Sequence, residues 1–158
     1  MNKQNLIFLL LVFLGLSLKV GAASKYDIKE SLAYYTPILT TEFKQMLRQA
    51  DIDAGAEFFN RKCSTCHDHK QGGIHNKGPL LWNVFGRKAG SVSAFDYSPA
   101  MKATTHTWNY ATLNYYLTRT DRAVPGRSMN FRGIRNEQQR ANLLAYLRRS
   151  NREPPALP

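Results

Sequence analysis

Cys63-Ser64-Thr65-Cys66-His67 holds the only two cysteines of the 158-residue chain, with a histidine directly after the second. This is the pattern of covalent haem attachment. Two thiols on one turn of chain can add to the two vinyl groups of a haem, and the next side chain then lies under the iron, so His67 becomes the candidate proximal ligand. A thioredoxin-type redox pair would need a strand leading into the motif and a parallel βαβ setting, and neither pattern is visible. A structural zinc site would need a second, separated pair of ligands, which two cysteines do not supply.

Working outward, the chain divides into three parts. The start, Met1-Asn2-Lys3-Gln4-Asn5, is short and basic, an apolar run follows from Leu6 to Leu18, and Lys19 precedes the small residues Gly21-Ala22-Ala23. Residues 1–23 therefore read as an export signal with cleavage after Ala22 or Ala23. The run is short of the roughly 20 apolar residues of a comfortable membrane span, and an uncleaved anchor extended through Val20 is the alternative. Residues 24–49 form an extension without obvious chemistry. Within it, Thr41 to Arg48 predicts a short helix with Phe43, Met46 and Leu47 on one face, separated by Pro37 from Tyr34-Tyr35. A packed leader is one reading of this extension and a docking arm or tether the other.

Residues 50–158 carry the motif. Asp51 is a candidate N-cap for a helix through Ala54, Phe58, Phe59 and Lys62, which delivers the chain to Cys63. Asn109 caps a second helix carrying Leu113, Tyr116 and Leu117. Asn136 with Gln139 opens a third, with Leu143, Leu144 and Leu147 on one face, and Pro154-Pro155 follows it. No run alternates at strand period, and no internal repeat appears. The expectation is an all-α domain of three main helices and long loops, its core filled partly by a cofactor.

The other face of the iron needs its own ligand. Past the export signal the thioethers are Met46, Met101 and Met129, and a methionine is most often a core gap-filler. Met129 stands out because Pro125 and Gly126 set a turn just before it. His69 sits too close to His67 to reach the opposite face with ease. His75 and His106 remain rivals that would give a bis-histidine site of lower potential.

The formal net charge is +11, from 22 Lys and Arg against 11 Asp and Glu. Much of the excess lies near the motif, at Arg61, Lys62, Lys70, Lys77, Arg87 and Lys88, and again from Arg119 to Arg152. Such a surface steers toward acidic partners. Nucleic acid would call for a recognition motif or stacking platform, and none is found. Plain solvation accounts for part of the charge.

From Asp51 to Arg149 the chain resembles the class I c-type cytochromes, of the mitochondrial and bacterial electron-shuttle kind. Beyond the attachment motif the likeness rests on Gly55, Phe59, Gly72-Gly73, His75, Gly78-Pro79, Leu81 and Phe85-Gly86-Arg87-Lys88. It continues through Phe95, Tyr97, Trp108, Tyr116-Leu117, Pro125-Gly126, Met129, Phe131, Gly133-Ile134 and the segment Leu143 to Leu147.

The resemblance implies the cytochrome c fold around one covalent haem c, with Cys63 and Cys66 bonded to it and His67 and Met129 as axial ligands. It implies further that the Pro79 carbonyl holds the His67 imidazole and that Tyr116 donates to the Met129 sulfur. Tyr97 and Trp108 would bond a haem propionate with Arg87 nearby, and Phe131 would cover the haem edge. Gly55 and Phe59 would pack on Leu143 and Tyr146. Three features depart from the family pattern, one being the arginine-rich rim of Arg127, Arg132 and Arg135 where mitochondrial members favour lysine. Arg127 stands where a threonine is usual, so a propionate hydrogen bond is lost or becomes an ion pair, and Met101 replaces a frequent asparagine near Tyr116.

Together these readings predict an electron-transfer protein rather than an enzyme. It would be a periplasmic monomer meeting reductases and oxidases through their acidic docking patches, without nucleic acid. A membrane-tethered subunit of a respiratory complex and a peroxidase-like enzyme are the alternatives.

Overall fold

The computed structural model describes residues 27–158. The export signal expected at residues 1–23 lies outside the described residues. A 3-10 turn, Ile28–Glu30, is followed by six helices: α1 (Thr41–Arg48), α2 (Ile52–Lys62), α3 (Pro99–Lys102), α4 (Tyr110–Thr118), α5 (Thr120–Ala123) and α6 (Glu137–Arg148). Among the described residues there is no strand, only the isolated bridges His67–His75 and Lys88–Thr107.

The expected caps are in place. The Asp51 carboxylate accepts the Ala54 N–H at 2.9 Å, and Asn136 accepts the Gln139 N–H at 2.9 Å. Asn109 and Thr112 form a reciprocal capping box at the start of α4. α2 crosses α6 at a contact made possible by a missing side chain: a Cβ on Gly55 would lie 2.2 Å from the Asn142 carbonyl oxygen. One turn further on, the Phe59 and Tyr146 rings meet at 5.8 Å. The crossing is pinned as well by the Asn142 amide oxygen, which accepts the Asp51 N–H at 3.1 Å.

Residues 27–49 pack on this helical body rather than standing off it. α1 lies against α6 with Phe43 and Leu47 buried. Eight residues are too few to hold a helix alone, so burial of these side chains, about 1.5–3 kcal/mol each, is what sustains α1. Arg140, with 3 % of its side chain exposed, ties the two parts. Its guanidinium lies over the Phe43 ring at 5.7 Å and donates to the carbonyls of Ile134 and Arg135 and to Asn114. After α6 the chain turns back on the loop before α3. Asn151 accepts the Phe85 N–H and donates to the Leu147 carbonyl, and Asn83 accepts the Arg152 N–H.

Candidate haem-binding site

α2 ends at Lys62, and the chain tightens at once: the N–H groups of Cys66 and His67 both donate to the Cys63 carbonyl, at 3.0 and 2.9 Å. This turn aims Cys63, Cys66 and His67 into one cavity of about 290 Å³ between α2, α4, α6 and the loops that join them. The two cysteines are free and half-buried. Burial, reinforced by the neighbouring Cys66, pushes the Cys63 thiol up to about 11, so it stays a neutral thiol near pH 7.

His67 is fixed by the loop that folds beneath it. Its Nδ1 lies 2.8 Å from the Pro79 carbonyl, which can only accept, so Nδ1 carries the proton and Nε2 keeps its lone pair. Burial holds the imidazole pKa below the usual histidine range, although the Pro79 bond acts the other way. Gly78 must be glycine here, because a Cβ would sit 2.3 Å from the ring. The loop closes on the motif through Gly78 N–H to the Cys66 carbonyl at 2.8 Å and Leu81 N–H to the Asp68 carbonyl at 2.7 Å.

The far wall is built from α4 and the loop after α5. Tyr116 donates its hydroxyl to the Met129 Sδ at 3.5 Å, and burial raises its phenol to about 12, which keeps the donor proton in place. Trp108 packs against Tyr116 with centroids 5.3 Å apart and the rings tilted by 49°. Arg87 donates one N–H to the Trp82 carbonyl at 3.0 Å, while its Nε is buried without a hydrogen-bond partner. A buried, unsatisfied guanidinium N–H is costly and fits an anionic group entering this cavity. Tyr97 lies in the field of the same guanidinium.

All ten residues expected at the site, Cys63, Cys66, His67, Pro79, Arg87, Tyr97, Trp108, Tyr116, Met129 and Phe131, line this cavity. The rival histidines do not. His75 accepts the Leu80 N–H on Nδ1 and reaches the Ser93 carbonyl through Nε2, and His69 pairs with the Tyr146 hydroxyl at 2.7 Å. Arg127 also lines the cavity, but it donates from Nε to Thr120 Oγ1 at 2.7 Å and to the Phe131 carbonyl at 3.2 Å. It thus braces its own loop. Lys62 and Lys77, expected among the steering charges, line the cavity too, as does Ser98, for which no role was expected. Ser98 was within reach: Ser98-Pro99 is an N-cap with proline at the first helical position, and its hydroxyl accepts the Met101 N–H.

An apolar slot with two thiols at one wall, an imidazole lone pair, a thioether and a guanidinium that keeps one buried N–H unpaired fits a haem with its propionates. Comparison with known proteins agrees: the family model described as Cytochrome c matches residues 52–151. The chain belongs to the cytochrome c family. It is 39% identical over 100 residues to cytochrome c of Nigella damascena, covering 63% of this chain and 90% of that one. Cytochrome c of Chlamydomonas reinhardtii is likewise 39% identical over 100 residues, covering 63% and 89%. Cytochrome c2 of Rhodoplanes tepidamans is 41% identical over 97 residues, covering 61% and 90%. This cytochrome is accordingly an electron-transfer protein, not an enzyme, and it carries haem c bonded through its Cys-x-x-Cys-His motif. Residues 27–49 lie outside the matched region.

Proposed function

We propose that this cytochrome is a periplasmic single-electron shuttle whose iron is closed on both faces, by His67 and Met129. The observation that carries this reading is the hydrogen bond from Tyr116 to the Met129 sulfur across the cavity from a His67 already oriented by Pro79. The haem supplies a one-electron ferric/ferrous couple, and a Met/His pair raises its potential. The chain's own residues do the rest. Pro79 fixes the imidazole tautomer and strengthens Nε2 as a donor, Tyr116 draws electron density from the thioether, and the Arg87 guanidinium offsets propionate charge in a low-dielectric wall. His67 and Met129 would hold the iron of a bound haem and leave no ligand position for a substrate, and Phe131, which lines the same cavity, would cover the edge through which electrons are exchanged.

Partners are read from charge. Lys62, Lys77 and Arg127 line the cavity, no acidic side chain does, and Arg132 and Arg135 are exposed nearby. Acidic patches on a reductase and an oxidase would dock here, with fast association and fast release. Periplasmic location is supported by the basic start, apolar run and small residues of positions 1–23.

The test is Met129→Ala in the haem-loaded protein. The reduced variant binds carbon monoxide and its potential falls, whereas the parent protein does neither; an unchanged spectrum and no carbon monoxide adduct would refute Met129 as ligand. Mass determination of the protein from the periplasmic fraction should place the mature N-terminus near Ser24, and an N-terminus at Met1 would favour a tethered form.

A further inference from the structure

The extension that precedes the family domain bonds the last residue of the short helix α5, and α5 leads directly into the loop that carries Met129. Leu32 is fully buried, and its N–H donates to the Ala123 carbonyl at 2.8 Å, with the Ser31 hydroxyl 3.4 Å from the same oxygen. Ala123 is the last residue of α5, a single turn with no side-chain cap. Such a turn does not persist by itself, and its final carbonyls need outside donors. The extension provides them.

Neighbouring contacts extend the grip to α4. The Tyr115 hydroxyl donates to the Glu30 carbonyl at 2.6 Å, the Tyr35 ring packs on Tyr115 at 4.9 Å, and the Arg122 guanidinium covers the same ring at 5.2 Å. Tyr115 adjoins Tyr116, the donor to Met129. From the opposite side Arg127 bridges Thr120, the first residue of α5, to the Phe131 carbonyl, and the Thr120 hydroxyl bonds that carbonyl too. The loop from Val124 to Phe131 is therefore fastened at its base to α5, and α5 is fastened to residues 30–35.

We propose that residues 30–35 form a clamp that positions the Met129 loop, so that this cytochrome's extension keeps the thioether on the iron. The inference rests on Met129 being the axial ligand. Leu32, Tyr35 and Tyr115 are positioning residues, acting through α5 and α4 and lying outside the lining of the cavity. A thioether is a soft ligand and holds ferric iron less firmly than ferrous, so loosening the clamp shows first in the oxidised protein.

The probe is imidazole binding to the ferric haem-loaded protein, read by its absorption change together with the weak red absorption of thioether-ligated ferric haem. Leu32→Ala keeps the backbone N–H but removes the buried side chain that seats it on Ala123, so it should raise imidazole affinity by about tenfold and weaken the red band. Leu32→Met should restore both. Tyr115→Phe, a milder change for use if Leu32→Ala fails to fold, should move them the same way by less. Phe43→Ala is the control: it removes a buried ring of α1 that packs beneath Arg140, so it should lower the melting temperature and leave imidazole affinity alone. Equal effects from Leu32→Ala and Phe43→Ala, or no effect of Leu32→Ala and Tyr115→Phe while Met129→Ala binds imidazole strongly, would overturn the clamp and leave the ligand intact. If Met129→Ala itself does not raise imidazole affinity, the ligand assignment fails and the clamp with it.

Discussion

Tyr116 and Pro79 act on opposite sides of one cavity through single hydrogen bonds, one to a sulfur and one to an imidazole. Deleting the first is a small, readable perturbation. Tyr116→Phe removes the donor that withdraws electron density from Met129, so the potential should fall by the worth of one hydrogen bond, about 0.5–1.5 kcal/mol or a few tens of millivolts for a one-electron couple. Redox titration of both proteins at neutral pH checks this, where the phenol, raised to about 12, stays protonated. At this scale the sequence was most legible, since Cys-x-x-Cys-His names its chemistry by spacing alone. It was least legible for Arg127, whose partners Thr120 and Phe131 lie seven and four positions away along a loop that no periodicity describes.

Helices show which signals are local. The starts of α1, α2, α4 and α6 could be read because caps and apolar faces lie close to each segment, and Asp51, Asn109 and Asn136 all cap as expected. α3 and α5 were not expected: each is one turn, and tertiary contacts rather than propensity sustain them. The α2–α6 crossing gives a sharp prediction. Gly55→Ala would drive a methyl into the Asn142 carbonyl, so it should cost about 1–3 kcal/mol or more, seen as a lower denaturation midpoint, despite alanine's better helix propensity. Arg140→Met makes a second one. It leaves the Ile134 and Arg135 carbonyls and the Asn114 side chain without their donor, and chemical denaturation should show a loss of about 2–4 kcal/mol.

For the whole molecule the positive net charge, +11 over the full chain with Lys3 and Lys19 falling in residues 1–23, governs encounters. Electron exchange with an acidic partner should slow steeply as salt rises from about 10 to 200 mM, because the Debye length shrinks below the spacing of the docking charges. Stopped-flow measurement across that range is the check, and a rate indifferent to salt would remove steering from the account. The same salt series should leave the potential nearly unchanged, since the Tyr116–Met129 and His67–Pro79 bonds are buried or half-buried and poorly screened.

Sequence by itself determined the cofactor, the helices that frame its site and the sign of the surface, because motif spacing, caps and charge are local properties of the chain. Only the tertiary structure decided which side chains share the cavity, that His69 and His75 are occupied elsewhere, and that Arg87 keeps a buried N–H unpaired within its wall. Only it brought Leu32 to Ala123, 91 residues apart in the numbering, through one backbone hydrogen bond. Such contacts depend on how loops close over helices, and the sum of many weak packing terms that selects one closure leaves no pattern in any single stretch of sequence.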